Sequence, residues 1–258
     1  MNSKIFPKGF PLFVERYEKI SSTNDVALEY LLENGDENNG AVFIAKYQEK
    51  GRGRLGRNWF SLKGKNLLMS FIFIPPKYYK WNLLSLAVGL ACVKAIEKYR
   101  LVKTRIKWPN DIFFENRKMG GILLESKMVG NNLIGTVVGV GINIKGSRED
   151  FPSEISEIVT TLEEASQREC DVKEFEEIIF ETIPEHLELL LRKSSSLIDE
   201  VVNCLIHKKG DEIELSSGDN IFRGKYEGID KDGEIIILTK EGKKSFNCGE
   251  IINIKDFI

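Results

Sequence analysis

A strand-and-helix domain followed by a small all-β barrel is the architecture this sequence predicts, and three observations predict it. Apolar, β-prone runs gather between residues 41 and 144. Acidic, helix-prone sequence takes over after Lys145. Residues 209 to 258 then alternate short strands with tight turns. With 258 residues, 42% of them hydrophobic, the chain can bury a real core instead of remaining disordered.

The elements follow in order. "STNDVALEYLLENG", from Ser22, has an N-cap residue, apolar positions at helical spacing and a terminating Gly35, which together predict a short helix. "AVFIAKY" and "NLLMSFIFI" read as strands, the second stopped by Pro75 and Pro76. "NLLSLAVGLACVKAIEKY" is apolar around most of its circumference, as suits a helix buried against a sheet. "TRIKW", "DIFFE", "GGILLESKM" and "NLIGTVVGVGINI" read as strands of an antiparallel meander, with "ENRK" and "VGNN" as turns. Helices are expected near 154 to 165, 172 to 192 and 196 to 206. The strands "DEIEL", "IFRGKYEGI", "EIIILT" and "KKSFN" predict the small barrel, which sets domains at 1–208 and 209–258. So small a second domain should lean on the first.

Composition excludes several classes of function. A formal charge of −2 supplies no global field toward nucleic acid or anionic membrane, so any basic site must be local. Cys92, Cys170, Cys204 and Cys248 form no CxxC pair, and His186 and His207 lie near no Cys-rich partner; zinc ligation and a disulfide framework are not expected, and no metal-ligating set is assigned. No window approaches the roughly 20 apolar residues of a membrane span, and a soluble, cytoplasmic protein is expected.

The stretch "GRGRLGRNW", residues 51 to 59, connects the first two predicted strands. Gly51, Gly53 and Gly56 allow close backbone approach, and Arg52, Arg54 and Arg57 offer forked donors suited to phosphate or carboxylate. It is neither a Walker A loop, lacking GK[ST], nor a GxGxxG turn opening a helix. Taken alone it fits an ordered small-anion site or a solvated basic or nucleic-acid patch about equally well. Its companions are local rule-breakers. Lys107, Asn110, Asp111 and Lys118 surround a Pro109 bend, Gly120 and Gly121 interrupt an apolar strand, and Gly139, Gly141 and Asn143 interrupt another.

"STN" at 22–24, "YQEKGRGRLGRNW" at 47–59, "KWPNDI" at 107–112, "KMGGIL" at 118–123 and "GVGIN" at 139–143 occur in the order and spacing of the biotin protein ligases. The chain resembles a short form of that family, and the resemblance covers nearly all of it. It implies an α+β catalytic domain with a mixed β-sheet flanked by helices, and an SH3-like C-terminal barrel. It implies that ATP, with Mg2+, converts biotin to biotinyl-5′-AMP, and that biotin then passes to a lysine of a biotin carboxyl carrier protein. Carried over residue by residue, Ser22, Thr23, Asn24, Gln48, Gly51, Arg52, Lys118 and Gly121 are expected at biotin. Arg54, Arg57, Trp59, Asn110, Lys118 and Asn143 are expected at the nucleotide. Lys118, Arg54, Arg52 and Asp111 are the expected catalytic set, and the glycine–arginine loop the expected lid. Leu55 stands where many relatives have a second basic residue, so that charge is missing here. The first family motif lies at residues 22–24, which leaves no expected room for a DNA-binding helix-turn-helix or a repressor function. A homodimer through exposed sheet edges is a further expectation of the resemblance. Lipoate ligase is the nearest rival reading; a nucleic-acid-binding module and an independent peptide-binding barrel are others.

Overall fold

A computed structural model describes residues 5–75, 80–130, 132–192 and 194–252. Strand β1 (Phe13–Tyr17) leads into helix α1 (Thr23–Asn34), β2 (Ala41–Ala45) and β3 (Asn66–Phe73). Helix α2 (Trp81–Arg100) follows, then the meander β4 (Arg105–Lys107), β5 (Asp111–Phe114), β6 (Arg117–Val129) and β7 (Asn132–Asn143). The strands form one sheet in the order β1-β2-β3-β7-β6-β5-β4, with β1 parallel to β2 and every other pair antiparallel. The sheet is therefore mixed, as expected. Strand β1 was not anticipated: five residues, FVERY, carry too short an alternation to announce a strand, and pairing with β2 is what fixes it. The expected stop at Pro76 and the turn residue Asn131 lie outside the described residues.

Period-2 alternation sorts side chains to the two faces of this sheet. Met69, Phe71 and Phe73 of β3, with Val138, Val140 and Ile142 of β7, join α2 in the main core. Ile72 and Val137 point the other way, onto Ala27 and Leu31 of α1. Asn66, Leu68 and Ser70 share that second face with Gly139, Gly141 and Asn143, paired as Asn66↔Asn143, Leu68↔Gly141 and Ser70↔Gly139. Beside α1, then, the sheet offers a floor of small and polar residues.

The acidic stretch after Lys145 departs from expectation. In place of one helix over 154–165 there are two short ones, α3 (Ser153–Ser156) and α4 (Leu162–Ser166). Between them the chain runs extended beside Lys118, whose N–H donates to Ile158 O at 2.8 Å and whose carbonyl accepts from Thr160 N at 3.0 Å. Thr161 then caps α4 by accepting from Glu164 N. Helices α5 (Val172–Arg192) and α6 (Ser194–Cys204) match their expected spans within two residues and cover α2.

The remaining strands are β8 (Glu212–Ser217), β9 (Asn220–Ile229), β10 (Ile235–Thr239), β11 (Gly242–Phe246) and β12 (Glu250–Ile251), in the antiparallel order β11-β10-β9-β8-β12. The barrel is not closed: among the described residues β12 pairs with β8 and β11 with β10, and β11 and β12 do not pair with each other. Ile213, Leu215, Tyr226, Ile235, Ile237 and Ile251 belong to the same apolar cluster as Trp108 and α2. The small sheet thus completes the main core, and Trp108 Nε1 donates across to Gly233 O at 3.0 Å.

Candidate active site

The cleft lies on the α1 face of the large sheet, with the glycine–arginine loop above and residues 107–111 to one side. The loop is an ordered hairpin, not a polymer-like tract. Trp59 N donates to Gly51 O at 2.9 Å and Gly53 N to Arg57 O at 2.7 Å, closing residues 51–59 around a single turn of 3-10 helix at Arg54–Gly56. That turn needs positive φ at Gly56 (74°) and at Leu55 (56°), where a leucine is strained.

Glycines let the cleft exist. A Cβ at Gly141 would lie 2.8 Å from the Trp59 indole, and one at Gly139 would collide with the Asn24 amide. At Gly121 it would lie 3.2 Å from Asp111 Oδ1 and 3.4 Å from Lys118 Cε. Side chains from α1, the loop and β5 lie directly on bare backbone, which is the close approach that glycine in a strand suggests. Lys118 reaches the same face through a β-bulge: the β5–β6 register shifts between Ile112↔Gly120 and Phe113↔Lys118, so Met119 turns into the core and Lys118 toward the cleft.

One end of the cleft is neutral and buried. Gln48 Oε1 accepts from Thr23 N at 2.6 Å and from Thr23 Oγ1 at 2.9 Å. Ser70 Oγ sits 2.6 Å from Thr23 Oγ1 and 2.5 Å from Asn24 Oδ1. Ser22 has the extended backbone of an N-cap (φ −157°, ψ 138°), yet its side chain does not cap α1; it is 2% exposed and lines the cleft. Arg52 lies at the rim of this end, its guanidinium forked between Asp25 (2.7 Å) and Glu125 (2.8 Å).

The other end is cationic. Lys118 Nζ lies 2.8 Å from Asp111 Oδ1 and 5.8 Å from the Trp59 ring. Arg54 donates to Asn110 Oδ1 at 2.8 Å and to Gly249 O at 3.2 Å, while Asn110 Nδ2 donates to Ile122 O. Burial lowers the Arg54 pKa, opposed by Asp111 and Glu250. Arg57 pairs with Glu250 through both Nη atoms, which raises the Arg57 pKa and lowers that of Glu250. Lys107 is 7% exposed, its pKa lowered by burial, and has no ion-pair partner among the described residues. The Trp59 indole N–H is buried without a hydrogen-bond partner among the described residues. Two buried donors and two arginines therefore converge where an anion could be held.

The structure brings Ser22, Thr23, Asn24, Gln48, Arg52, Gly121, Lys118, Asp111, Arg54, Arg57, Trp59 and Asn110 to one cleft. Two expected residues stand apart. Gly51 lies behind the wall, where a Cβ would meet Trp59 O at 2.7 Å and Gln48 Nε2 at 3.1 Å. Asn143 is 3% exposed and its amide is engaged within the wall, accepting from Asn66 at 2.9 Å and donating to Thr160 O at 3.1 Å. Sequence reasoning did not single out Ser70, Glu125 or Glu250. Ser70 alone carried a signal, as a polar residue within an apolar strand.

Among the described residues no three His, Cys, Asp or Glu side chains gather to hold a metal, and no helix is long and apolar enough to cross a membrane.

Residues 17–143 match the model of the biotin/lipoate A/B protein ligase family, and residues 210–252 that of the biotin protein ligase C terminal domain. The bifunctional ligase/repressor BirA of Bacillus spizizenii is 31% identical over 233 residues, which cover 90% of this chain and 71% of that protein. The biotin–protein ligase of Homo sapiens is 30% identical over 139 residues, 51% of this chain and 19% of that one. Among solved structures, the biotin protein ligase from Aquifex aeolicus in complex with biotin and ATP superposes with a TM-score of 0.79 at 30% identity, covering 92% of this chain and 97% of that one.

Proposed function

We propose that this chain, which belongs to the biotin protein ligase family, activates biotin with ATP and transfers it to a lysine of a biotin carboxyl carrier protein. The observation that carries the reading is the position of Lys118, with Asp111 at its ammonium, between the neutral Thr23–Gln48 end and the cationic end that holds Arg54 and Lys107. A carboxylate and a triphosphate repel, so a catalyst that joins them must supply positive charge and placement more than covalent chemistry.

In the first step a biotin carboxylate oxygen attacks the α-phosphorus, the new P–O bond forms and pyrophosphate leaves. The neutral end suits the ring of biotin, whose polar atoms would meet Thr23, Asn24 and Gln48; Arg52 closes the rim. Lys118 would bridge the biotin carboxylate and the phosphate, leaving Asp111 as they bind. Arg54, Arg57 and Lys107 would draw charge from the phosphates, and Trp59 would flank the adenylate with its unpaired N–H. Magnesium would arrive with the triphosphate. A hard cation held by phosphate oxygens and one carboxylate fits Asp111, whose Oδ1 is buried at the cleft wall, and it would supply further charge neutralisation there. In the second step the carrier amine attacks the biotinyl carbonyl, the amide C–N bond forms, AMP leaves with the electron pair and the amine gives up a proton. An amine with a reference pKa of about 10.4 must be neutral to attack, and Asp111 or the substrate phosphate would take that proton, unless the amine loses it to water as the site closes.

The match of residues 210–252 to the biotin protein ligase C terminal domain favours biotin over lipoate. The test is ATP–pyrophosphate exchange with each acid, followed by the mass of a carrier domain incubated with enzyme, biotin and MgATP. Biotin-dependent exchange and one biotinyl addition are expected. Exchange with lipoate alone would overturn the assignment.

A further inference from the structure

One carboxylate oxygen outside the expected site holds two of its parts. Glu125 lies on β6, paired with Val137 of β7, four residues beyond Gly121 where the pairing with β5 ends, and on the same strand as Lys118. Its Oε2 accepts from Asn24 Nδ2 at 2.6 Å and from Arg52 Nη2 at 2.8 Å. Asn24 belongs to α1 and Arg52 to the glycine–arginine loop, two segments that meet here through this atom. Asp25 takes the other prong of the fork, 2.7 Å from Arg52 Nη1. From Asn24 the chain of contacts runs through Ser70 to Thr23 and Gln48.

We infer that Glu125 is a positioning residue that couples the seating of biotin at the Thr23–Asn24 end to closure of the glycine–arginine loop, with Asp25 as the second jaw. The inference rests on the reading of that end as the biotin site. An isolated half-exposed ion pair contributes little. Here both guanidinium prongs are engaged, and the shared oxygen sits on a strand held in the sheet by its pairing with β7. A shift of Asn24 would draw on the same atom that holds the loop. Loss of the Glu125 charge should therefore loosen the loop and retention of the intermediate together, without touching the reacting atoms.

Trypsin provides a direct probe, because Lys50, Arg52, Arg54 and Arg57 all lie in or beside the loop. In the full-length protein, Glu125→Gln should speed cleavage in this loop by about fivefold, and the Asp25→Asn, Glu125→Gln double variant by about tenfold, the range for one or two partly exposed charge pairs. Glu125→Asp, which keeps the charge, should restore part of the protection. High salt should accelerate loop cleavage in the parent, and by less in the double variant, which keeps the Arg57–Glu250 pair on this loop. In assays the Glu125→Gln variant should show a raised KM for biotin and faster release of biotinyl-adenylate, with the single-turnover rate of adenylate formation kept. Loop cleavage and adenylate release within about twofold of the parent, in Glu125→Gln and Asp25→Asn alike, would overturn the coupling. If biotin supports no pyrophosphate exchange in the parent, the proposed function falls, while the trypsin and salt measurements still decide whether the latch exists.

Discussion

The two ends of the cleft hold their side chains by different means. At the Thr23–Gln48 end, neutral donors and acceptors satisfy one another in a buried row, so their positions are set by hydrogen-bond geometry before anything binds. At the Lys118–Arg54 end, charges are held by charges or carbonyls: Lys118 by Asp111, Arg57 by Glu250, Arg54 by Asn110 and Gly249. A neutral row selects by shape and hydrogen bonding and responds little to salt. A cationic end balanced by carboxylates can exchange those partners for incoming phosphate, and so can discriminate between stages of a reaction.

That contrast can be broken most severely at the junction. Lys118→Ala should reduce biotin-dependent ATP–pyrophosphate exchange by about a thousandfold, the upper range for one preorganised charge donor. Near-normal exchange would remove Lys118 from the chemistry. Next in size is Arg54→Gly, which should leave exchange measurable and let the adenylate escape. Biotinylation of bystander protein lysines, read by streptavidin blotting, should rise by about tenfold or more, as expected when a charge-assisted contact of about 1.5–3 kcal/mol is lost. Unchanged target selectivity would contradict a retaining role.

Smaller effects separate the neutral end. Ser70→Ala should weaken biotin binding by about fivefold, the equivalent of one hydrogen bond of about 1 kcal/mol, with kcat nearly unchanged. A fall in kcat at constant KM would place Ser70 in the chemistry instead. The smallest expected effect tests the clamp from the C-terminal sheet. The Glu250 pKa is depressed from its ordinary 4.5 by hydrogen bonding to Arg57. Its stabilising contribution is therefore present above about pH 4.5 and lost as the pH falls through the depressed value. Glu250→Gln should lower the urea midpoint at pH 7, and the difference from the parent should shrink as the carboxylate protonates well below pH 4.5. A difference that persisted there would show that packing, not charge, accounts for the clamp.

Much of the molecule was legible because it is written locally. The helix over 81–100 and the meander announce themselves through apolar periodicity, which any solution of the fold must bury. Gly139 and Gly141 were readable as sites of close approach, though not what approaches them: Asn24 and Trp59 come from distant segments. The helix expected over 154–165 failed because residues 157–161 find a better partner in the backbone of Lys118 than in each other. The small C-terminal barrel was legible as short strands and tight turns, though not that β11 and β12 leave it open among the described residues.

Residue order by itself determined most of the strand and helix inventory and the motifs that place the chain among biotin protein ligases. Only the tertiary structure decided that Met119 bulges so that Lys118 faces the cleft, that Glu125 joins residues 24 and 52, and that Glu250 closes on Arg57. Propensity and periodicity act over a few neighbouring residues. A meeting of side chains 101 or 193 positions apart depends on strand register and on how whole elements pack, which no short window of sequence contains.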